Sequence, residues 1–299
     1  MIVVTAPTGQ IGSKLVRTLL THGEPVRLVV RDPGKLPTGV RKRAEVVTGS
    51  HHDPATLDRA LTDADALFWL MPATPTASSP YEAYVSASIP GADAVVRHAV
   101  PHVVVVSALG RGAQVYAGHV SASHAMEDLL RSTGAHVRAL ALPTFMDNIL
   151  RQTATIGDGA VTGTLPADFT TPWIATKDIA ALAAGYLLDR DWTGQDSVES
   201  LGGEDLSFAD IAAILTDVLG TPIRYQLLDR AVVKEFLLGR GFSAAMAQSM
   251  IDMDVACERG INNAVPRTAQ NTTPTTFHEF ALESIKPAVL GRAVSGRAS

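Results

Sequence analysis

Apolar residues in the first half of the chain fall in short, nearly unbroken runs: Ile2–Ala6, Pro25–Val30, Ala44–Val47, Ala66–Met71, His102–Ser107 and Val137–Leu142. Runs of that length with little polar alternation predict strands buried on both faces. Between the first two, Ile11, Leu15, Val16, Leu19 and Leu20 recur at helical spacing and stop at Gly23, a C-terminal cap. Asp53 and Pro54 form a helix start for a second amphipathic stretch, Pro54–Leu61. Strands alternating with helices predict an α/β fold built on a doubly wound parallel sheet.

After Pro143 the rhythm changes. Helices are predicted over Asp178–Leu188, Ser207–Leu219, Arg230–Leu238 and Ser243–Arg259, with short strands near Ser197–Leu201 and Ile223–Leu227. Ser207 with Asp210 three residues on makes an N-cap, and Gly220 before Pro222 a stop. The expected organisation is a dinucleotide-binding domain over 1–150 and a smaller α+β C-terminal substrate lobe over 151–290. That lobe is partly interleaved with the sheet edge, and a Gly/Ser/Arg-rich flexible tail follows over 291–299.

Composition narrows the function classes. Of 299 residues, 46% are hydrophobic and 18% charged, enough apolar surface for a sizeable core. A formal charge of −5 supplies no basic face, which argues against direct nucleic-acid binding. The lone Cys257 cannot pair within the chain, which fits a reducing cytoplasm, and no matched His partner gives it a catalytic role. No apolar run is long enough to span a membrane, and the N-terminus lacks the basic region of a signal peptide.

The first strand leads into Ala6-Pro7-Thr8-Gly9-Gln10-Ile11-Gly12 and then into a helix. That setting makes a Gly-rich pattern a Rossmann-type phosphate-binding turn: Gly9 lets the backbone approach a pyrophosphate and Gly12 lets helix and strand pack closely. The helix N-terminus offers unpaired N–H groups and the positive end of its dipole. Ala6 stands where the fingerprint has its first glycine. About twenty residues past the last glycine, NAD-binding chains carry an acid for the ribose 2′-hydroxyl. Here Arg31 holds that place, and Arg31 with Lys35 can clamp a 2′-phosphate, so NADP(H) is expected over NAD(H). Asp32 complicates the reading, since it can pair with Arg31 or bind a ribose instead.

These residues, together with Val105-Val106-Ser107-Ala108-Leu109-Gly110, Glu127-Asp128-Leu129-Leu130-Arg131-Ser132-Thr133-Gly134, Pro143-Thr144-Phe145-Met146-Asp147-Asn148 and the late Thr273–Phe280 segment, resemble the NmrA-like family of atypical short-chain dehydrogenase/reductases. The resemblance runs over nearly the whole chain. It implies a 3-2-1-4-5-6 sheet, a cofactor across the strand C-termini and a cleft roofed by the smaller lobe. By position it places Thr8, Gly9, Gln10, Ile11, Gly12, Arg31, Lys35, Ser50, Leu70, Met71, Pro72, Ser107, Pro143 and Phe145 along the cofactor. Phe145, Asn148, Trp173, Met246 and Met250 are assigned to an apolar substrate cleft, although a Met-and-aromatic set of this kind also suits a core. Ser50 stands where many members carry Asp. His51-His52-Asp53 invites a metal reading, but no further ligands lie at suitable spacing, so polar residues in an adenine-edge loop fit better and no metal is expected.

Conventional short-chain dehydrogenases draw their proton from a Tyr with a Lys four residues later. Here Tyr116 is followed at that spacing by Val120, and no lysine lies between Lys42 and Lys177. Two routes are left for a reductase. A quinone-like or enone-like acceptor takes hydride with little acid help, or His119 or His124, expected just before the Glu127 helix, acts as the acid. His119 reads equally as a surface loop histidine, and Ser107 either hydrogen-bonds a substrate oxygen or packs under a ring. The leading expectation is an NADP(H)-dependent reductase of a small hydrophobic or aromatic molecule. A non-enzymatic NADP(H)-binding redox sensor with a regulatory protein partner and a polyketide-type tailoring enzyme are the alternatives, and a homodimer is compatible with any of them.

Overall fold

The computed structural model describes residues 1–295, with side chains through Gly291. In chain order the strands are β1 (Ile2–Val4), β2 (Val26–Val30), β3 (Glu45–Thr48), β4 (Ala66–Trp69), β5 (His102–Ala108) and β6 (His136–Leu142). There follow β7 (Thr144–Phe145), β8 (Ala160–Gly163), β9 (Thr171–Ile174), β10 (Gln195–Glu199), β11 (Glu204–Leu206) and β12 (Arg224–Leu227). The helices of the first half are α1 (Gln10–Thr21), α2 (Thr38–Arg41), α3 (Pro54–Leu61), α4 (Pro80–Tyr84), α5 (Ile89–Arg97) and α6 (His119–Arg131). The second half adds α7 (Thr153–Gly157), α8 (Thr176–Leu188), α9 (Phe208–Leu219), α10 (Arg230–Gly239), α11 (Ala244–Glu258), α12 (Phe277–Phe280) and α13 (Lys286–Ser295).

The six predicted strands form one sheet in the order β3-β2-β1-β4-β5-β6, and every pairing is parallel. β10 extends that sheet beyond β6, pairing Gln195 with Val137 through Glu199 with Ala141. The short strand expected near Ser197–Leu201 is thus β10, two residues earlier, and it joins the edge of the main sheet, where the second half of the chain was expected to interleave. Both faces are covered, as the unbroken apolar runs require. On one face Ile2, Val4, Phe68 and Val104 meet Leu15 and Leu19 of α1 and Ile179 and Ala183 of α8. On the other, Val3, Leu67, Val103 and Val105 meet Leu57 and Leu61 of α3, Ala92 and Val95 of α5 and Met126 and Leu130 of α6.

A second core gathers Met146, Ile156, Val161, Trp173, Phe208, Ile211, Leu215, Phe277 and Ile285 around two small sheets, β11-β9-β7 and β12-β8. The capping signals read correctly: Ser207 and Asp210 form a reciprocal capping box for α9, and Gly220 closes it in the left-handed conformation at φ +69°. The expected tail over 291–299 is in part helix, because α13 runs through Ser295; residues 296–299 lie outside the described residues. Among the described residues no helix is long and apolar enough to cross a membrane.

Candidate functional site

The strand order reverses at β1, whose neighbours β2 and β4 leave in opposite directions, and this opens a crevice at the carboxyl edge of the sheet. The expected cofactor residues lie at or just after strand ends, Ser107 being the penultimate residue of β5 and Phe145 the last of β7. Thr8, Gly9 and Gln10 follow β1 and are exposed, while the Ile11 side chain and Gly12 are buried. α1 starts at Gln10 with no capping side chain and no acid in its first turn, so its leading N–H groups face outward unsatisfied. A Cβ on Gly12 would overlap the Ala6 carbonyl, which is why only glycine fits. Ala6 itself lies at φ +49°, the left-handed region that the fingerprint's glycine normally occupies. This arrangement fits a pyrophosphate: a backbone cradle open to solvent, with no side chain already filling it.

Arg31 and Lys35 follow β2. Both are exposed, and neither side chain makes a hydrogen bond or ion pair with the described residues. Asp32 resolves its own ambiguity. Its Oδ1 accepts from the Gly34 N–H at 2.9 Å and caps the turn Pro33–Lys35, so Arg31 stays unpaired. Ser50 follows β3 and spends its Oγ on the His52 N–H at 3.2 Å. His51, His52 and Asp53 do not converge, because the Asp53 carboxylate caps α3 through Thr56 at 2.6 and 3.0 Å. Burial, then His52, then Arg31 hold the His51 imidazole down to about 4, and its Nε2 is buried without a partner.

β4 ends beside β1 through a clamp that the sequence did not reveal. Thr5 Oγ1 donates to the Phe68 and Leu70 carbonyls at 3.1 and 3.3 Å and accepts from the Leu70 N–H at 3.0 Å. Of the three residues expected beside the ribose, Leu70 is half-buried and Pro72 exposed, while Met71 is 6% exposed and packs into the core.

At the ends of β5 and β6 the polar groups already have partners. Ser107 Oγ donates to Glu127 Oε2 at 2.6 Å. Glu127 is 1% exposed and is held by Arg131 at 2.7 Å, Arg111 at 3.0 Å and Ser197 at 3.3 Å. Burial pushes its carboxyl up, but the hydrogen bonds from Ser107, Arg111 and Arg131 outweigh that and hold it below the usual glutamate range. The Ser107 proton therefore points at Glu127 and not at the crevice, which corrects the reading of Ser107 as a donor to substrate oxygen.

Both candidate histidines lie within α6, not ahead of it. The helix begins at His119 because Gly118, at φ +52°, lets the backbone turn hard against the Ser249 carbonyl on α11. His124 Nε2 is 2.9 Å from the Ala108 carbonyl, so that nitrogen carries its proton and anchors the loop after β5. His119 is 8% exposed, edge-on to Tyr84 at 5.7 Å, with Nε2 buried and unpartnered. Burial lowers its basicity, only partly offset by the Met246 backbone, so at neutral pH the ring is uncharged. It is not a surface loop histidine, and it holds no spare proton in the resting state.

Two expected cleft residues are core instead. Trp173 is 3% exposed, stacks edge-on to Phe208 and donates Nε1–H to the Leu206 carbonyl at 3.0 Å. Met246 is fully buried against Ala77 and Ala83. Pro143 is buried, Phe145 and Met250 are half-buried, and Asn148 is exposed. Next to Asn148, Asp147 accepts from Thr176 Oγ1 at 2.6 Å and from the Thr176 N–H at 2.9 Å. Lys14 of α1 reaches Thr176 Oγ1 at 2.8 Å and lies 3.8 Å from Asp147. This latch ties α1, the loop after β6 and the start of α8 into one wall; nothing in local spacing could have announced it, since its members lie up to 162 residues apart.

Comparison with known proteins places this geometry. Residues 1–281 match the NmrA-like family. The chain is 26% identical over 285 residues to the NAD(P)H azoreductase of Xenophilus azovorans, covering 94% of this chain and 96% of that one. It is 29% identical over 283 residues to the (4-alkanoyl-5-oxo-2,5-dihydrofuran-3-yl)methyl phosphate reductase of Streptomyces griseus subsp. griseus, covering 94% and 95%. Among solved structures, the triphenylmethane reductase of a Citrobacter species superposes with a TM-score of 0.78 at 18% identity, over 97% of this chain and 99% of that one. The NADPH-dependent quinone oxidoreductase of Escherichia coli, solved with NADPH, gives 0.77 at 21% identity, over 96% and 99%. At those identities the structural likeness speaks for the fold alone, and it is the sequence match over nearly the full length that identifies the chain as a member of the NmrA-like family.

Proposed function

We propose that the chain is an NADP(H)-dependent reductase that delivers hydride to a flat, electrophilic small molecule of the quinone, azo or enone kind. The observation that carries this reading is the contrast between two free cations, Arg31 and Lys35, at the nucleotide edge and the lack of a free, charged acid at the far edge. The relatives named above as an azoreductase and a furanone phosphate reductase support it. When bound, the nicotinamide supplies two electrons as hydride.

The chain's own residues bind and orient. The α1 N-terminus and Gly9 receive the pyrophosphate, and Arg31 and Lys35 receive the 2′-phosphate. Leu70, Pro72, Pro143 and Phe145 line the path toward the reacting end. Ser107, bonded to Glu127, and His124, bonded to the Ala108 carbonyl, tie the end of β5 to the middle of α6, which keeps that wall rigid. A carbonyl reduced in isolation concentrates charge on one oxygen and needs a donor in the transition state. A quinone or azo group spreads that charge, so protons can arrive from water after hydride transfer. The site as built suits the second case, with His119 as a neutral hydrogen-bonding wall. Steady-state oxidation of NADPH against a panel of quinones and azo dyes tests the reading. Turnover with at least one acceptor is expected; tight NADPH binding with no turnover on any acceptor would point instead to a nucleotide sensor.

A further inference from the structure

The loop Ser50–Asp53 crosses the carboxyl end of β3 directly beside Arg31, since the Gly49 N–H donates to the Val30 carbonyl at 3.0 Å. The His51 and His52 rings lie 4.5 Å apart, and His51 stands edge-on to Trp69 at 6.1 Å. Both imidazoles feel the Arg31 charge. The acids within reach are turned elsewhere: Asp32 to the Gly34 N–H and Asp53 to Thr56. Arg59 on α3 directs its guanidinium to the Ala55 and Thr48 carbonyls at 3.2 and 3.4 Å. The edge thus collects Arg31, His51 and His52, with Lys35 four residues on, and the two carboxylates among them, Asp32 and Asp53, are spent on Gly34 and Thr56, while His51 Nε2 is buried without a partner. Among the described residues no ion pair engages Arg31, Lys35, His51 or His52.

We propose that His52, braced by His51, is a third group for the cofactor's 2′-phosphate and takes up a proton as the phosphate arrives. This rests on the NADP(H) reading of the site. In the empty protein burial and Arg31 keep the His52 ring neutral at physiological pH, and burial keeps His51 neutral behind it. A phosphate monoester brings a charge close to −2. It cancels the Arg31 field at the rings and favours the imidazolium, which is exposed enough on His52 to take its proton from water. His51 is too buried to charge, so it serves as the packed neighbour that holds the His52 ring over the edge. NADH has no 2′-phosphate and gives no such loading.

The sign follows directly. A group protonated more readily in the complex strengthens binding at low pH, and that contribution disappears as pH rises through its value in the complex. The NADPH-over-NADH preference should therefore fall as pH rises from the depressed value of free His52 through its value in the complex, by at most about tenfold per pH unit if one full proton is taken up.

Calorimetric titration of the full chain with NADPH and NADH at pH 7.5, in two buffers of different ionisation enthalpy, counts the protons. At this pH the 2′-phosphate is already largely dianionic. Any further ionisation of it would release protons, the opposite sign. The expected result is net proton uptake with NADPH, none with NADH, and loss of that uptake in His52→Gln, with NADPH affinity lowered several-fold and NADH affinity unchanged. His51→Phe keeps a ring beside His52 and Trp69 but no titrating nitrogen, and should retain the uptake. NADPH preferred with no uptake, or uptake that survives His52→Gln, or that vanishes in His51→Phe, overturns this inference and leaves the cofactor reading standing. Equal affinity for the two nucleotides, or no binding of either, overturns both.

Discussion

The two ends of the crevice are built on opposite plans. At the nucleotide end, the leading N–H groups of α1 have no capping side chain, and Arg31, Lys35 and the His51 Nε2 lack partners among the described residues. At the reacting end, Ser107, Glu127, His124 and Asp147 are each hydrogen-bonded to other residues of the chain, and the unpartnered His119 Nε2 is enclosed in the wall, on a side chain 8% exposed. Unsatisfied groups on an edge are a binding surface waiting for a ligand, whereas a satisfied network is a scaffold. On the function proposed above, the protein recognises its cofactor through its own charges and leaves the choice of reaction to the electronic character of the acceptor.

The largest effect that sharpens this contrast is expected at the turn. Gly9 is exposed, at φ −78°, with the Ala6 carbonyl 3.4 Å from where a Cβ would sit. Gly9→Val should leave the fold intact but place a branched side chain where the pyrophosphate lies. Both NADPH and NADH should lose at least about hundredfold in affinity, or ~2.7 kcal/mol, and thermal melts should no longer shift with either nucleotide. Retained stabilisation by NADPH would put the phosphates elsewhere.

Glu127→Gln probes the scaffold. Removing a buried charge that faces Arg131 and the partly exposed Arg111 should destabilise by about 2–3 kcal/mol, read as a lower denaturant midpoint. The native carboxyl is held below its unfolded value, so its contribution is fully present above about pH 4.3 and is lost as pH falls through the native value. Wild-type stability should thus drop steeply on acidification below that point, and the Gln variant less so. A variant as stable as wild type at pH 7 would show that the network is not structural.

Arg31→Ala comes next. It should lower NADPH affinity by roughly ten- to hundredfold, the weight of a charged hydrogen-bond pair, with NADH nearly unchanged. Equal wild-type affinities for the two nucleotides would break the contrast at its source. The smallest effect should come from His124→Ala, which loses one hydrogen bond to the Ala108 carbonyl. About 1 kcal/mol of stability should go with it, and turnover should hardly change.

The fold was legible where the signal was local. Strands buried on both faces, as β1 and β4 are throughout, read as apolar runs, and the β1 turn, α3 and the α9 caps carry their reasons within a few residues. The bounds of β10 were off by two residues because its polar sequence, Gln195-Asp196-Ser197-Val198-Glu199, is that of an edge strand, which carries no buried-run signature. In the site, Arg31 and Lys35 stand out in the sequence because strand ends index the ribose position, and the structure leaves both exposed and unpaired among the described residues; their role toward a 2′-phosphate is the proposal made above. Asp32 was not, because a free acid and a capping acid have the same sequence. Trp173 and Met246 were misassigned since an apolar residue on a helix or strand carries no mark of which surface covers it. The Glu127 network and the Lys14–Asp147–Thr176 latch depend on contacts between distant elements, and no spacing rule reaches that far.

The claim that the acceptor and not a protein acid sets the rate is tested most directly by single-turnover stopped flow. Hydride transfer from bound NADPH would be followed across a series of quinones of rising reduction potential, in wild type and His119→Ala. The rate should climb with potential in both proteins, with the two lines parallel and less than about tenfold apart, under 1.4 kcal/mol of transition-state stabilisation. A fall of 10²–10⁴-fold in His119→Ala, the usual weight of a general acid, accompanied by loss of the pH dependence near neutrality, would make His119 the proton donor and contradict the account.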